Sequence, residues 1–383
     1  MKICFFAHNS ETHKNGAALS LINIANEMAD RGIEVIIILP KKDLKYPVNH
    51  EKIKCINLPI LSMRTKVDDH SIMNKVKETI KKICNRFSKR KAIRIIKNEK
   101  PDIIHINGLD YEVGAKTASK LDIPYVWHIR QLLEEDFGMR LHNEKNIYKL
   151  LTKADSIIAI SETVKDKFEN ILNKELALIY NGIPLEEYRI GEKAFCPDNK
   201  VKILLAGRIF EQKGQFDAVK AINHLVHHGV TDIHLTIAGD IENSFYANKI
   251  SEYIKEHQLN KYINIIDHVS DLKKLRESID IGLVCSKKEA FGRVTIETMA
   301  SRMLAIGSNT GGTVEIIEDN VNGLLYEEGD YISLANKIKY AIDNKTEMNT
   351  VIENGYKTTI EKYSISRVVD QIMEIYSAIQ TKK

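Results

Sequence analysis

A chain of 383 residues, 43% hydrophobic and 28% charged with 19 Gly and 7 Pro, excludes one small module and the disordered, collagen-like and disulfide-scaffold classes. Its net charge of +4 is too small a bias to argue for nucleic-acid binding. Cys4, Cys55, Cys84, Cys196 and Cys285 form no C-x-x-C pair, so a reducing cytosol is expected rather than a disulfide framework or zinc site.

The apolar run from Ile3 to Ala7 is too short for a signal peptide, and no later run reaches membrane-spanning length. Short apolar runs alternate with helical patterns. Ile3 to Ala7, Val35 to Leu39, Ile103 to Ile106, Tyr125 to Trp127 and Ile157 to Ile160 predict buried strands. Ile203 to Ala206, Ile233 to Ala238, Ile263 to Ile266, Ile279 to Val284 and Met303 to Gly307 predict a second series. Continuous apolar strands separated by amphipathic helices mean parallel sheets built from βαβ crossovers. One sheet of this width would be unusual, so two Rossmann-like sheets in tandem are expected, with functional residues in the loops that follow strands.

Turn residues at Tyr180-Asn181-Gly182-Ile183-Pro184 and an irregular charged stretch before Val201 mark the boundary. The expected domains are 1–185 and 200–364, with 365–383 a helix returning to the first.

After Ala206 comes Gly207-Arg208-Ile209-Phe210-Glu211-Gln212-Lys213-Gly214. A forked guanidinium and a mobile ammonium on a loop entering a helix suit a diphosphate, although a solvated basic turn would also account for them. The loop lacks the G-x-x-x-x-G-K-[ST] pattern, which excludes a P-loop. Further on stands Glu289-Ala290-Phe291-Gly292-Arg293-Val294-Thr295-Ile296-Glu297. Gly292 permits close backbone approach, and a carboxylate at Glu297 matches a vicinal diol. A helix-start acid at Glu289 and a surface acid at Glu297 are the alternative.

The E-x7-E element at 289–297 resembles that of the GT4 family of retaining glycosyltransferases, of the bacterial polysaccharide-biosynthesis type. Gly207-Arg208 with Lys213-Gly214, Ile237-Ala238-Gly239-Asp240, Thr310-Gly311-Gly312 with Glu315, and Asn322-Gly323-Leu324-Leu325 are similar to that family in order and spacing. So are Asn15-Gly16-Ala17-Ala18, Pro101 to His105, Ala154 to Ser161 and Asn181-Gly182-Ile183 in the first half.

The resemblance implies a GT-B fold, α/β, with two Rossmann-like domains facing each other across a deep cleft. It implies an N-terminal acceptor domain, a C-terminal donor domain and a hexosyltransferase that moves a sugar from a nucleotide diphosphate, UDP before GDP, to a sugar acceptor, lipid-linked in cell-surface polysaccharide assembly. On this basis Arg208 and Lys213 bind the diphosphate, Glu297 the ribose, and Glu289 with the Phe291-Gly292 backbone the transferred sugar. Gly16 would leave room in the first strand-to-helix loop, and His268-Val269 would border the base. His128 takes the place of a family histidine that reaches the donor sugar, and Arg130 that of a loop cation for an acceptor phosphate, a plain surface Arg being the alternative. Asn107 stands where many relatives carry His. His128, Glu289, Arg208 and Lys213 are thus the expected catalytic set.

Glu289 and Glu297 are assigned to hydroxyls and not to a nucleophile pair; same-face attack, with the leaving diphosphate taking the acceptor proton, is expected. No D-x-D occurs, so no metal or other cofactor is expected. A non-hydrolysing sugar-nucleotide epimerase and a pyridoxal phosphorylase share the architecture as alternatives.

The stretch Lys75 to Lys97 holds ten Lys and Arg against the one acid Glu78, a charge of +9 that leaves −5 elsewhere. Val76, Ile80, Ile83 and Phe87 recur along it at helical spacing. A basic amphipathic stretch of this kind suits anionic lipid, giving a cytoplasmic protein peripheral on the inner face of the cell membrane. A non-enzymatic basic membrane-binding protein is a further alternative, and a helix face lying over the N-terminal core is the other reading of the stretch.

Overall fold

The computed structural model describes residues 1–7, 16–41, 45–48, 50–69, 71–198, 200–267, 269 and 271–381. The chain divides into two compact units, residues 1–182 with 365–383 and residues 183–364.

The first unit runs β1 (Lys2–Phe6), α1 (Gly16–Asp30), β2 (Glu34–Leu39), β3 (Ile53–Asn57), β4 (Arg64–Lys66), α2 (Ile72–Glu99), β5 (Ile103–Asn107), α3 (Val113–Leu121) and β6 (Tyr125–Ile129). It continues with α4 (Leu133–Phe137), β7 (Met139–Leu141), α5 (Glu144–Thr152), β8 (Ser156–Ala159), α6 (Glu162–Leu172) and β9 (Ala177–Leu178). Seven strands form a parallel sheet in the order β3-β2-β1-β5-β6-β8-β9, and β4 pairs antiparallel with β7. Residues of β5 and β6 are buried at every position, as a sheet covered on both faces requires.

The second unit runs α7 (Leu185–Tyr188), β10 (Val201–Ala206), a 3-10 turn at Glu211–Lys213, α8 (Gln215–His227), β11 (Ile233–Ala238), α9 (Ser244–Glu256), β12 (Ile263–Ile266) and α10 (Leu272–Glu277). Then follow β13 (Ile281–Val284), α11 (Arg293–Ala300), β14 (Leu304–Ser308), α12 (Thr313–Ile316), β15 (Leu324–Tyr326), α13 (Tyr331–Asp343) and α14 (Lys345–Tyr363). Its parallel sheet has the order β12-β11-β10-β13-β14-β15. The last helix, α15 (Ile365–Thr381), belongs to the first unit. Val368, Val369, Ile372 and Tyr376 share a buried cluster there with Ile3, Phe5, Leu21 and Ala25. Arg31 ties the helix down through the Ser366 carbonyl, at 2.9 Å, and the Asp370 carboxylate.

Three features differ from the sequence reading. The predicted strands all form, but β3, β9 and β15 extend the sheets beyond them. The irregular stretch before Val201 is part of the second unit, where Phe195 and Cys196 are buried in the core and Asp280 accepts from the Cys196 and Lys202 amides. Gly16 is the first residue of α1 rather than a loop residue.

Helix α2 turns its apolar stripe away from the core. Val76, Ile80, Ile83 and Phe87 are 49 to 56% exposed, while Asn74, Asn85 and Ser88 are buried. The reason is local: the Asn85 side chain donates to the Leu61 carbonyl and accepts from its amide, both at 2.8 Å, and the Ser88 hydroxyl donates to the Pro59 carbonyl. Extended backbone beside the helix needs partners, and these polar side chains supply them. Among the described residues no helix is long and apolar enough to cross a membrane. Asn85→Ala is expected to lower unfolding free energy by about 1–3 kcal/mol, since two backbone groups lose their partner; an unchanged urea midpoint would refute this account of the helix's orientation.

Candidate active site

In the second unit the loops after β10, β11, β13 and β14 come together. Gly214, at φ +66°, lies against the Cys285 carbonyl, where a Cβ would overlap the oxygen. The Lys287 amide donates to the Gln212 carbonyl at 3.0 Å, so the loops after β10 and β13 form one surface. On it Lys213 Nζ sits 3.2 Å from Glu289 Oε1 and 3.3 Å from Ser286 Oγ. Arg208 Nη1 donates to Glu242 Oε2 at 2.6 Å in the loop after β11, with its guanidinium 5.2 Å from the Phe210 ring centroid. Gly312 donates its amide to the Glu289 carbonyl at 2.7 Å, and a Cβ there would overlap the Phe291 backbone. The E-x7-E turn is therefore clamped from both sides. Among the described residues nothing donates to Glu289 Oε2, a buried atom. Phe291 is buried with its ring 5.9 Å from that of Tyr363, and Gly292 caps the start of α11.

Glu297 is not a surface acid. It is 8% exposed, and its Oε1 accepts from Arg293 Nε at 2.7 Å and from the Tyr188 hydroxyl at 3.2 Å. Arg276 Nη2 donates to Oε2 at 2.6 Å while the Arg276 guanidinium lies 5.0 Å from the Tyr188 ring centroid. Burial alone would raise the Glu297 carboxyl, but Arg276 and Arg293 outweigh it and hold it below the ordinary carboxylate value. Tyr188 and Arg276 were not legible as its partners, because they come from α7 and α10 and no spacing joins them to Glu297; Arg293 stands four residues before Glu297 on α11, an i,i+4 spacing that could have found it. Val269 packs beside Leu204, Ala238, Ile279 and Met303 near the ends of β10 and β11. His268 lies outside the described residues.

In the first unit His128 occupies the fourth position of β6, fully buried. Its Nδ1 is 3.2 Å from His105 Nε2, and His105 Nδ1 is 2.6 Å from the Tyr376 hydroxyl. Among the described residues His128 Nε2 is buried without a partner. Burial first, then the neighbouring Arg130 charge, pushes both imidazoles well below the ordinary histidine value, so both are neutral. Arg130 lies in the loop after β6 as expected, but it is not a plain surface Arg: it is buried at 5% exposure. Its Nε donates to Asn107 Oδ1 at 2.7 Å and its Nη1 to Asn181 Oδ1. Asn107 is the register neighbour of His128 in the sheet, so the polar side chain at that position holds the guanidinium.

Breaking a buried ion cluster leaves uncompensated charge, so Glu297→Ala is expected to cost about 3–5 kcal/mol in stability. Because the folded carboxyl lies below its unfolded value, the stabilisation is present above the unfolded pKa and is lost as pH falls through the folded one. Acid titration of the urea midpoint should therefore be shallower in Glu297→Gln than in the parent; parallel curves would refute the electrostatic role.

Residues 14–187 match the family described as Glycosyltransferase Family 4, and residues 189–358 match Glycosyl transferases group 1. An uncharacterized glycosyltransferase of Methanocaldococcus jannaschii is 29% identical over 293 residues, covering 74% of this chain and 78% of the relative. A Campylobacter jejuni α-1,4-N-acetyl-D-galactosaminyltransferase, whose name carries a sugar chain on PP-undecaprenol, is 23% identical over 78% of this chain and 81% of its own. The crystal structure of Anabaena HepE in complex with UDP superposes with a TM-score of 0.77 at 19% identity, over 99% of this chain and 100% of that one. The two parallel sheets, the two family matches and these relatives agree: this chain belongs to the GT4-type glycosyltransferases and has the GT-B fold.

Proposed function

We propose that the protein transfers a hexosyl group from a UDP-sugar to a lipid-linked sugar in polysaccharide biosynthesis, with retention of anomeric configuration. The observation that carries the reading is the surface where Lys213 pairs with Glu289, whose other carboxylate oxygen is unpartnered among the described residues, while Arg208, on the same loop as Lys213, pairs with the exposed Glu242. A diphosphate would exchange with Glu242 at Arg208 and draw Lys213 from Glu289. The Glu289 carboxylate then accepts from hydroxyls of the sugar, with the Phe291-Gly292 backbone beside it. Glu297 has four lone-pair directions and three protein donors among the described residues, so one remains there for a ribose hydroxyl. His128 meets the sugar through Nε2. In the transfer the bond from the anomeric carbon to the diphosphate oxygen breaks while the acceptor oxygen bonds to the same face. The acceptor's proton passes to the leaving diphosphate, whose growing charge Arg208 and Lys213 stabilise. UDP as donor nucleotide is supported by the UDP-bound structural neighbour, and a lipid-linked acceptor by the Campylobacter relative. No step in this scheme calls for a metal.

A thermal-shift series tests the donor: UDP is expected to raise Tm more than GDP, as specific binding stabilises the folded state by mass action. Arg208→Ala and Lys213→Ala should remove the shift while leaving the unliganded Tm nearly unchanged, because both side chains are partly exposed and their ion pairs contribute little. Normal donor binding in both variants would overturn the diphosphate assignment. Donor consumption that requires an acceptor separates transfer from epimerisation.

The same reading places the enzyme on an anionic bilayer through α2. Ile72 and Met73 add to its exposed stripe at 81 and 63%, and the ten cations from Lys75 to Lys97 lie on the same helix. Apolar side chains open to solvent and flanked by cations match the acyl boundary and headgroups of such a membrane. Binding to vesicles containing phosphatidylglycerol should fall with salt, and four Lys→Gln changes should weaken it by about 1 kcal/mol each. Ile80→Asp and Phe87→Asp should weaken it further without unfolding, since both residues already face solvent. No sedimentation with anionic vesicles at low salt, or equal binding to neutral ones, would remove the membrane claim; binding to RNA in preference to vesicles would reassign the face.

A further inference from the structure

The hydrogens of the Tyr376, His105 and His128 chain can be placed by counting partners. All three side chains are fully buried, and the chain's distances are 2.6 Å and 3.2 Å. A buried phenol must give its hydrogen to an acceptor. Among the described residues the Tyr376 oxygen meets no acceptor other than His105 Nδ1. With Nδ1 accepting, neutral His105 carries its proton on Nε2 and donates it to His128 Nδ1. Neutral His128 then carries its own proton on Nε2, the buried atom without a partner among the described residues. The opposite order of donors strands the phenol hydrogen and gains nothing in return, because among the described residues His128 Nε2 has no partner in either order.

We propose that Tyr376 and His105 are positioning residues that lock His128 in its Nε2-protonated tautomer, so that His128 offers the substrate a hydrogen-bond donor and has no lone pair there to accept a proton. This rests on the reading that His128 meets the sugar. The ligand atom it takes is a hydroxyl or ring oxygen of the transferred sugar, in the role of acceptor. His128 is thereby disqualified as the base for the acceptor hydroxyl, which agrees with that proton leaving on the diphosphate. The lock comes from α15, the helix that returns from the far end of the sequence.

The test uses full-length protein labelled with 15N-histidine. Long-range 1H–15N spectra should show His128 with Nε2 protonated and Nδ1 bare. Tyr376→Phe removes the phenol hydrogen and should give a mixture of His128 tautomers. Its kcat should fall by about 10- to 100-fold, the usual cost of losing a partner that orients a working histidine, with donor KM little changed. A His128 protonated on Nδ1 in the parent protein overturns the proposal, as does a Tyr376→Phe enzyme with unaltered tautomer and kcat. If that variant fails to fold, the parent spectrum still decides, and His105→Gln, which keeps one donor and one acceptor, supplies the kinetic arm. Adding UDP-galactose or UDP-N-acetylglucosamine, whichever raises Tm, separates the two levels. A His128 signal that does not move withdraws the substrate contact itself, whereas a moved signal on an Nδ1-protonated ring overturns the positioning alone.

Discussion

Parallel strands cannot be joined by hairpins: each must return through a crossover before the next begins, so every strand of a sheet ends on the same edge. In both units this constraint decides where chemistry can sit. The second unit's loops after β10, β11, β13 and β14 meet because their strands stop together, and residues as distant as Arg208, Glu242, Lys213 and Glu289 become neighbours. In the first unit Asn107, the last residue of β5, and His128, the last but one of β6, are register neighbours, and Arg130 is the first residue after β6. The clusters owe their composition to the loops and their existence to the strand directions.

Two kinds of ion pair result, and burial separates them. Arg208 and Glu242 are about one-third and one-half exposed, so their attraction is weak and an incoming anion displaces the carboxylate at little cost. Arg276, Arg293 and Glu297 are removed from water, where partners cannot be exchanged without leaving a bare charge. The first pair suits a site that must change occupants. The second, with the Tyr188 hydroxyl, holds α7, α10 and α11 together.

The sheets were legible because buried strands spell themselves as apolar runs: Ile233 to Ala238 and Ile263 to Ile266 agree with β11 and β12 to the residue. The edge strand β12 carries this mark too, but the edge strands β3 and β9 do not. Lys54 and Asn57 interrupt β3, and β9 has two residues. Candidate site residues could be proposed on strand-following loops for the same reason, whereas Tyr188, Arg276 and Tyr376 enter through contacts that only the folded chain creates. Periodicity also identified the stripe on α2 without revealing which way it points. That depends on the backbone at Pro59 and Leu61, which attracts Ser88 and Asn85 and so turns the isoleucines outward.

The position of α15 in the chain has a consequence for biosynthesis. The second unit is continuous and has its whole core once residue 364 has left the ribosome, but the first unit cannot close its core until residues 365–381 follow. Throughout synthesis of the second unit, the surface around Phe5, Leu21 and Ala25 lacks the side chains that cover it. Domains usually fold from the N-terminus onward during synthesis. Here the order is reversed: the unit made first is finished last, and an incomplete chain carries a finished second unit beside a first one that still lacks Tyr376 and the hydrogen bond it shares with His105.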